Sequence, residues 1–220
     1  MSEPLEIDVF WSFRSPWSYL ATQRLRDWQA RYDLAVHFRP VYPLAIRTPE
    51  FFHNQHPQWL DYFLTDLVRC AEYRGLPISW PDPDPVNQYV DDEGVRQTGD
   101  EQPYIHRLTR LGVVAAERGK GIEFADEVSS VIWGGTINWH EGRHLAEAAS
   151  RAGLSLEEID QQARDDEIRL ESVIAQNQAD HESAGHWGVP TCAFKGEPFF
   201  GQDRLDVLLW RLKQAGLKSR

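Results

Sequence analysis

Apolar and polar side chains alternate over residues 7–11. Ile7, Val9 and Trp11 fall on one side, Asp8 and Phe10 on the other. A period of two in β-branched and aromatic residues predicts a strand, and apolar groups on both sides place it centrally in a sheet. The period then changes. After Ser15-Pro16-Trp17-Ser18 come Tyr19, Leu20, Leu25 and Trp28 at helical spacing. Serine is a good N-cap and proline is favoured in the first helical position, so a helix is expected to start at Ser15. Residues 34–38 read as a second strand, bounded by Pro40 and Pro43. From about 58 to 184 helical patterns dominate. Candidates are 58–74, 102–118, 122–133, 139–152, 155–164 and 166–184. Ser155 opens a capping box, and Asn138 is a plausible cap for a helix beginning at Trp139. The Pro- and acid-rich tract 81–100 reads as an exposed loop. Residues 189–194 and 198–200 read as two short strands around a Lys195-Gly196-Glu197 turn. Asp203 is expected to cap a last helix carrying Leu205, Leu208, Leu209 and Leu212 on one face.

Strand–helix–strand at this spacing implies a parallel pair. The whole order is βαβ, a helical insertion, then ββα. This is the thioredoxin arrangement, an α/β fold with a discontinuous domain of residues 1–45 and 186–220 and an all-helical insertion domain of 46–185. The 220 residues suit that organisation. With 41% hydrophobic residues and nine Trp, the chain has material for a core, which excludes global disorder. A net charge of −11 repels phosphate backbones and anionic lipids, so neither nucleic acid nor a membrane is expected as a partner. Without a signal-like start, and with only Cys70 and Cys192 far apart, a reducing cytoplasm with both thiols free is expected.

Three segments carry candidate chemistry. In this arrangement the N-terminus of the first helix favours negative charge, because its N–H groups are unpaired and its dipole is positive there. Redox proteins of this fold place Cys-Pro-x-Cys at the turn. Here serines occupy both positions, so dithiol chemistry at this turn is impossible. A Ser15 hydroxyl could instead donate to a thiolate supplied by another molecule, glutathione being the obvious one. In Gly188-Val189-Pro190-Thr191 the proline should be cis and face that turn, leaving Val189's backbone free to pair with an extended peptide. In Gly201-Gln202-Asp203-Arg204 the Asp203 carboxylate could cap the helix and meet a γ-glutamyl ammonium.

Taken with Phe13-Arg14-Ser15-Pro16-Trp17-Ser18-Tyr19-Leu20-Ala21, these segments resemble the opening and closing motifs of 2-hydroxychromene-2-carboxylate isomerases. Kappa-class glutathione transferases share the layout, and both groups are DsbA-like thioredoxin folds with a helical insertion. The resemblance implies a glutathione-dependent isomerase, with transferase chemistry as the alternative, acting on a small electrophilic molecule, in a homodimer. Ser15 would contact the glutathione sulfur, and Val189 and Pro190 its cysteine. Gln202 and Asp203 would hold its γ-glutamyl end, with Asn54 a further contact. Asp61, Tyr62 and Asp66 also resemble a family segment, but a lysine that several members carry near the position of Trp59 is missing. Arg14, Trp17, Trp59, Tyr62 and Trp187 are candidates for the substrate pocket.

Two rival readings follow from the residues. His140-Glu141-Gly142-Arg143-His144 matches H-E-x-x-H, which on one helix would offer two zinc ligands, although Gly142 weakens a helix there and no third ligand stands out. Metal is therefore not expected. The paired serines also fit a non-catalytic thioredoxin-like binding module.

Overall fold

The computed structural model describes residues 3–52 and 55–220, so Asn54 lies outside the described residues. In chain order the elements are β1 (Leu5–Trp11), α1 (Pro16–Arg31), β2 (Leu34–Pro40), α2 (Leu44–Arg47), a 3-10 turn (Pro49–Phe52) and α3 (Trp59–Arg74). There follow β3 (Gln88–Val90), β4 (Arg96–Thr98), α4 (Ile105–Glu117), α5 (Gly121–Trp133), α6 (His144–Arg151), α7 (Leu156–Asp165) and α8 (Glu167–Ser183). The chain closes with β5 (Thr191–Phe194), β6 (Glu197–Phe200), a 3-10 turn (Gln202–Arg204) and α9 (Leu205–Gln214).

The main sheet has the order β2-β1-β5-β6. β1 and β2 are parallel, from Leu5 beside Leu34 to Trp11 beside Pro40. β5 runs antiparallel to β1 and β6, with Thr191 beside Phe200. The predicted βαβ and ββα units therefore meet through β1, which is central as its two-sided apolar pattern requires. Trp11 fixes α1 against this sheet. Its ring is fully buried, and its Nε1–H donates to Ser18 O at 3.1 Å and Thr22 Oγ1 at 2.8 Å. A buried indole must place that one donor, so the pair of acceptors sets the helix position along the strand. Trp133 on α5 donates to Phe13 O at 3.0 Å, tying the insertion to the segment just before Ser15. Gly121 lets α5 start against β2: a Cβ there would meet Phe38 Cβ at 2.7 Å. The buried apolar residues form one cluster that includes Val9 and Leu25 together with Leu108, Val128 and Ile174.

Several sequence expectations change. The tract 81–100 is not simply exposed: Pro81, Pro85 and Val86 are buried, and it carries the β3–β4 hairpin, so the insertion expected over 46–185 is not all-helical. Asn138 does not cap a helix. It sits at φ 50° in a turn, and α6 begins at His144. The indole of Trp139 explains the difference. It is buried and donates to Pro83 O at 2.7 Å, so this segment is held as a turn against the proline tract. H-E-x-x-H is consequently not on one helix face, since residues 140–143 precede α6 and Gly142 has φ 58°. Among the described residues no cluster of His, Cys, Asp and Glu is arranged to hold a metal. Asp203 is not an N-cap either: it lies within the 3-10 turn preceding α9, and its carboxylate is exposed and beside Arg204.

Candidate functional site at the start of the first helix

Ser15 is the N-cap of α1, with extended backbone angles, and Pro16 occupies the first turn. The Ser15 Oγ accepts the Ser18 N–H at 3.1 Å. Its own hydroxyl donates to Val189 O, also at 3.1 Å. The Val189–Pro190 bond is cis, as expected. The two segments singled out in the sequence, 174 positions apart, thus meet through one hydrogen bond. The Val189 N–H has no partner among the described residues. Ser18 is fully buried and its hydroxyl has no partner among the described residues.

The loop before Val189 is pinned from both sides. Gly188 O receives His181 Nε2 at 2.9 Å and the Thr191 hydroxyl at 2.6 Å, while the Gly188 N–H donates to His186 Nδ1 at 2.9 Å. Burial pushes His181 down to about 4, helped by the nearby Arg47 cation, so this ring is neutral. His186 is also pushed down by burial. It stacks on Phe200 at 4.0 Å and on Trp187 at 5.2 Å.

On the other side of Pro190, its carbonyl accepts the Gly201 N–H at 2.9 Å. This carries Gln202 and Asp203 alongside. Gly201 has φ +95°, and a Cβ there would meet Asp203 Oδ1 at 2.5 Å, so the carboxylate lies directly over the glycine. Gln202 is nearly buried. Its Oε1 accepts from Arg74 at 3.1 Å, and its Nε2 lies 3.6 Å from Cys70 Sγ. Asp66, Cys70 and Arg74 recur at four-residue spacing, so they share one face of α3, turned towards this end of the site. Burial, followed by Asp66, pushes the Cys70 thiol up. Cys192 is fully buried and pushed up to about 12. Both cysteines are free thiols.

Aromatic rings form a continuous wall. Trp17 packs edge-on against Phe63 at 5.5 Å; Phe63 stacks on Trp59 at 5.3 Å; Trp59 meets Phe52 at 5.9 Å. Phe52 meets Phe51 at 5.2 Å, and Phe51 meets Trp187 at 4.8 Å. Trp17, Trp59 and Trp187 are therefore brought together as the sequence suggested. Phe51, Phe52 and Phe63 were missed. Period and spacing do not separate wall phenylalanines from core ones. Tyr62 is 65% exposed and joins no ring contact among the described residues. Arg14 points elsewhere. It holds Asp84 through two bonds of 2.9 Å and Gln88 through a third, with Trp80 beneath it, so three of its five donors go to residues 84–88. These bonds tie the turn to the proline tract.

A profile of the DsbA-like thioredoxin domain family matches residues 6–213. The chain belongs to that family. A 2-hydroxychromene-2-carboxylate isomerase of Pseudomonas putida is 24% identical over 212 residues, covering 92% of this chain and 91% of that protein. A solved 2-hydroxychromene-2-carboxylate isomerase superposes with a TM-score of 0.71 at 19% identity, covering 96% of each chain. The cytosolic disulfide reductase DsbM of Pseudomonas aeruginosa, in a structure with GSH, superposes with a TM-score of 0.56 at 16% identity, covering 95% of this chain and 100% of that one. These likenesses extend over the insertion as well as the sheet, and the α/β thioredoxin arrangement with inserted helices is thereby established. Among the described residues no helix is long and apolar enough to cross a membrane.

Proposed function

We propose that the protein is a glutathione-dependent isomerase acting on a small unsaturated electrophile. The observation that carries this reading is the Ser15 hydroxyl at a helix N-terminus, shared with the Val189 carbonyl. In the free protein that hydroxyl donates to Val189 O. When an extended thiol peptide pairs with Val189, the peptide's cysteine N–H takes over the carbonyl. The Ser15 O–H then turns to the sulfur. The Ser18 N–H donates to Ser15 Oγ throughout, which polarises the hydroxyl. With the positive end of a 16-residue helix behind it, this donor favours thiolate over thiol. The γ-glutamyl end falls by Gln202, Asp203 and Arg74, which offer a carboxylate for the ammonium and a guanidinium for the α-carboxylate.

The reaction balances without an oxidant. The thiol proton leaves to solvent and the thiolate adds to an electrophilic carbon. The neighbouring double bond becomes single and can rotate. Elimination then restores the double bond and returns the thiolate, so glutathione is regenerated. The aromatic wall from Trp17 to Trp187 suits a flat, unsaturated substrate.

Calorimetry with glutathione tests the reading. Wild type should bind at millimolar ligand or below, and Asp203→Ala more weakly. Ser15→Ala should still bind, but the ultraviolet thiolate band of the bound ligand should appear only at higher pH. Turnover of α,β-unsaturated aromatic substrates should fall about 10- to 100-fold, as for a lost hydrogen bond to a charged group. No binding by wild type would refute the proposal.

A further inference from the structure

Arg47, the last residue of α2, is an unusual cation. Its Nε donates to Tyr42 O at 2.6 Å and its Nη2 to Trp187 O at 3.0 Å. Both acceptors are neutral carbonyls. No carboxylate of the described residues forms an ion pair with it. Burial pushes its pKa below the usual range, and only Glu182, at longer range, opposes this. Guanidinium groups have five N–H donors in a planar fork, and among the described residues two of them have partners. A half-buried cation that keeps donors unspent is costly unless an anion arrives to use them.

The backbone register says which anion. A peptide pairing antiparallel with Val189 runs against the chain direction. The residue before its cysteine therefore falls beside Pro190, and through the Pro190–Gly201 hydrogen bond beside Gln202 and Asp203. The residue after its cysteine falls beside Gly188 and Trp187. That is where Arg47 sits, on the Trp187 carbonyl. The opposite sense would bring the γ-glutamyl ammonium towards the Arg47 cation and take it from the Asp203 carboxylate, so charge favours the first sense. We infer that Arg47 receives the C-terminal glycyl carboxylate of glutathione and so selects thiol peptides ending in a free carboxylate one residue beyond the cysteine. This rests on the proposed glutathione reading and adds the group that fixes the ligand's direction.

The test compares glutathione with its glycyl monoethyl ester, by calorimetry at low salt. Wild type should bind the acid about tenfold or more tightly than the ester, the range of a charge-assisted pair. Arg47→Met should bind both alike, near the wild-type ester affinity, and Arg47→Lys should recover part of the preference. Equal binding of acid and ester by wild type would overturn the inference while leaving the glutathione reading intact, as it would if Arg47 met a substrate carboxylate instead. A preference that survives in Arg47→Met would also overturn it. Failure of wild type to bind either ligand would end both. Arg47 also braces two carbonyls, so the variant's unfolding midpoint is measured alongside. If Arg47→Met does not fold, the acid–ester comparison on wild type and Arg47→Lys decides, because a bracing role alone would not distinguish acid from ester.

Discussion

The stability of the Val189 loop should depend on pH through His181. This side chain is fully buried on α8, stacked on Phe10 at 4.7 Å, with its Nε2 2.9 Å from Gly188 O. The neutral ring carrying its proton on Nε2 suits this site. A second proton on Nδ1 would find no acceptor among the described residues, because that atom is buried without a partner there. It would also create a cation near Arg47 and beside His186. An unfolded histidine takes its proton near 6.5, the folded one only at about 4. Between these values the unfolded chain holds the extra proton, so stability is full above pH 6.5 and declines as the pH falls towards 4. From pH 7.5 to 5 a group shifted by that much costs about 2 kcal/mol of folding free energy. His106 and His186 are pushed in the same direction by burial, but a variant retains them and their share cancels. Urea unfolding of wild type and His181→Gln at pH 7.5, 6 and 5 measures the difference. Wild type should lose about 2 kcal/mol more than the variant over that span. Equal losses would show that His181 titrates normally in the fold, and the picture of a neutral imidazole pinning Gly188 would fail.

Other consequences follow from single contacts. Ser15→Cys should place a thiol at the helix N-terminus with its pKa well below that of Cys70, seen as iodoacetamide labelling that persists at lower pH; labelling that tracks an ordinary thiol would count against the anion-stabilising turn. Gly201→Ala combines a left-handed φ with a clash on Asp203, and should cost about 1 kcal/mol or more in unfolding experiments while weakening glutathione binding. Asp84→Ala removes the carboxylate held by a largely buried Arg14, and should lower stability by about 1–2 kcal/mol after allowance for partial solvent screening. Unchanged thermal midpoints in these two variants would contradict the packing described.

What the chain reveals in one dimension is uneven for physical reasons. Strand β1 was legible because a central strand must be apolar on both faces. The start of α1 was legible because Ser-Pro satisfies helix-end geometry locally, whatever surrounds it. Asp203 was misread because a carboxylate near a helix start usually caps it; here a 3-10 turn comes first, and the carboxylate lies back over Gly201 beside Arg204. The helix expected from Trp139 failed for a long-range reason, the Trp139 indole reaching Pro83 O. Arg47 carried no signal at all. Its meaning comes from a carbonyl 140 positions away, and nothing in the local sequence marks an arginine that lacks a carboxylate.

The chain's own thiols sharpen the functional argument. A helix N-terminus stabilises whatever anion reaches it, but a serine hydroxyl is far too weak an acid to become that anion. Cys192 is sealed in the core at about 12, and Cys70 is pushed up by burial and Asp66. Both shifts disfavour the thiolate, and neither cysteine belongs to the turn. Among the described residues the Val189 N–H facing this donor is unpaired and Arg47 forms no ion pair with a carboxylate, an arrangement that fits the proposed ligand with its thiol and carboxylate. The turn has no sulfur of its own with which to form or resolve a disulfide. The proposed reaction therefore uses the nucleophilicity of a bound thiolate, in reversible addition to an electrophilic carbon.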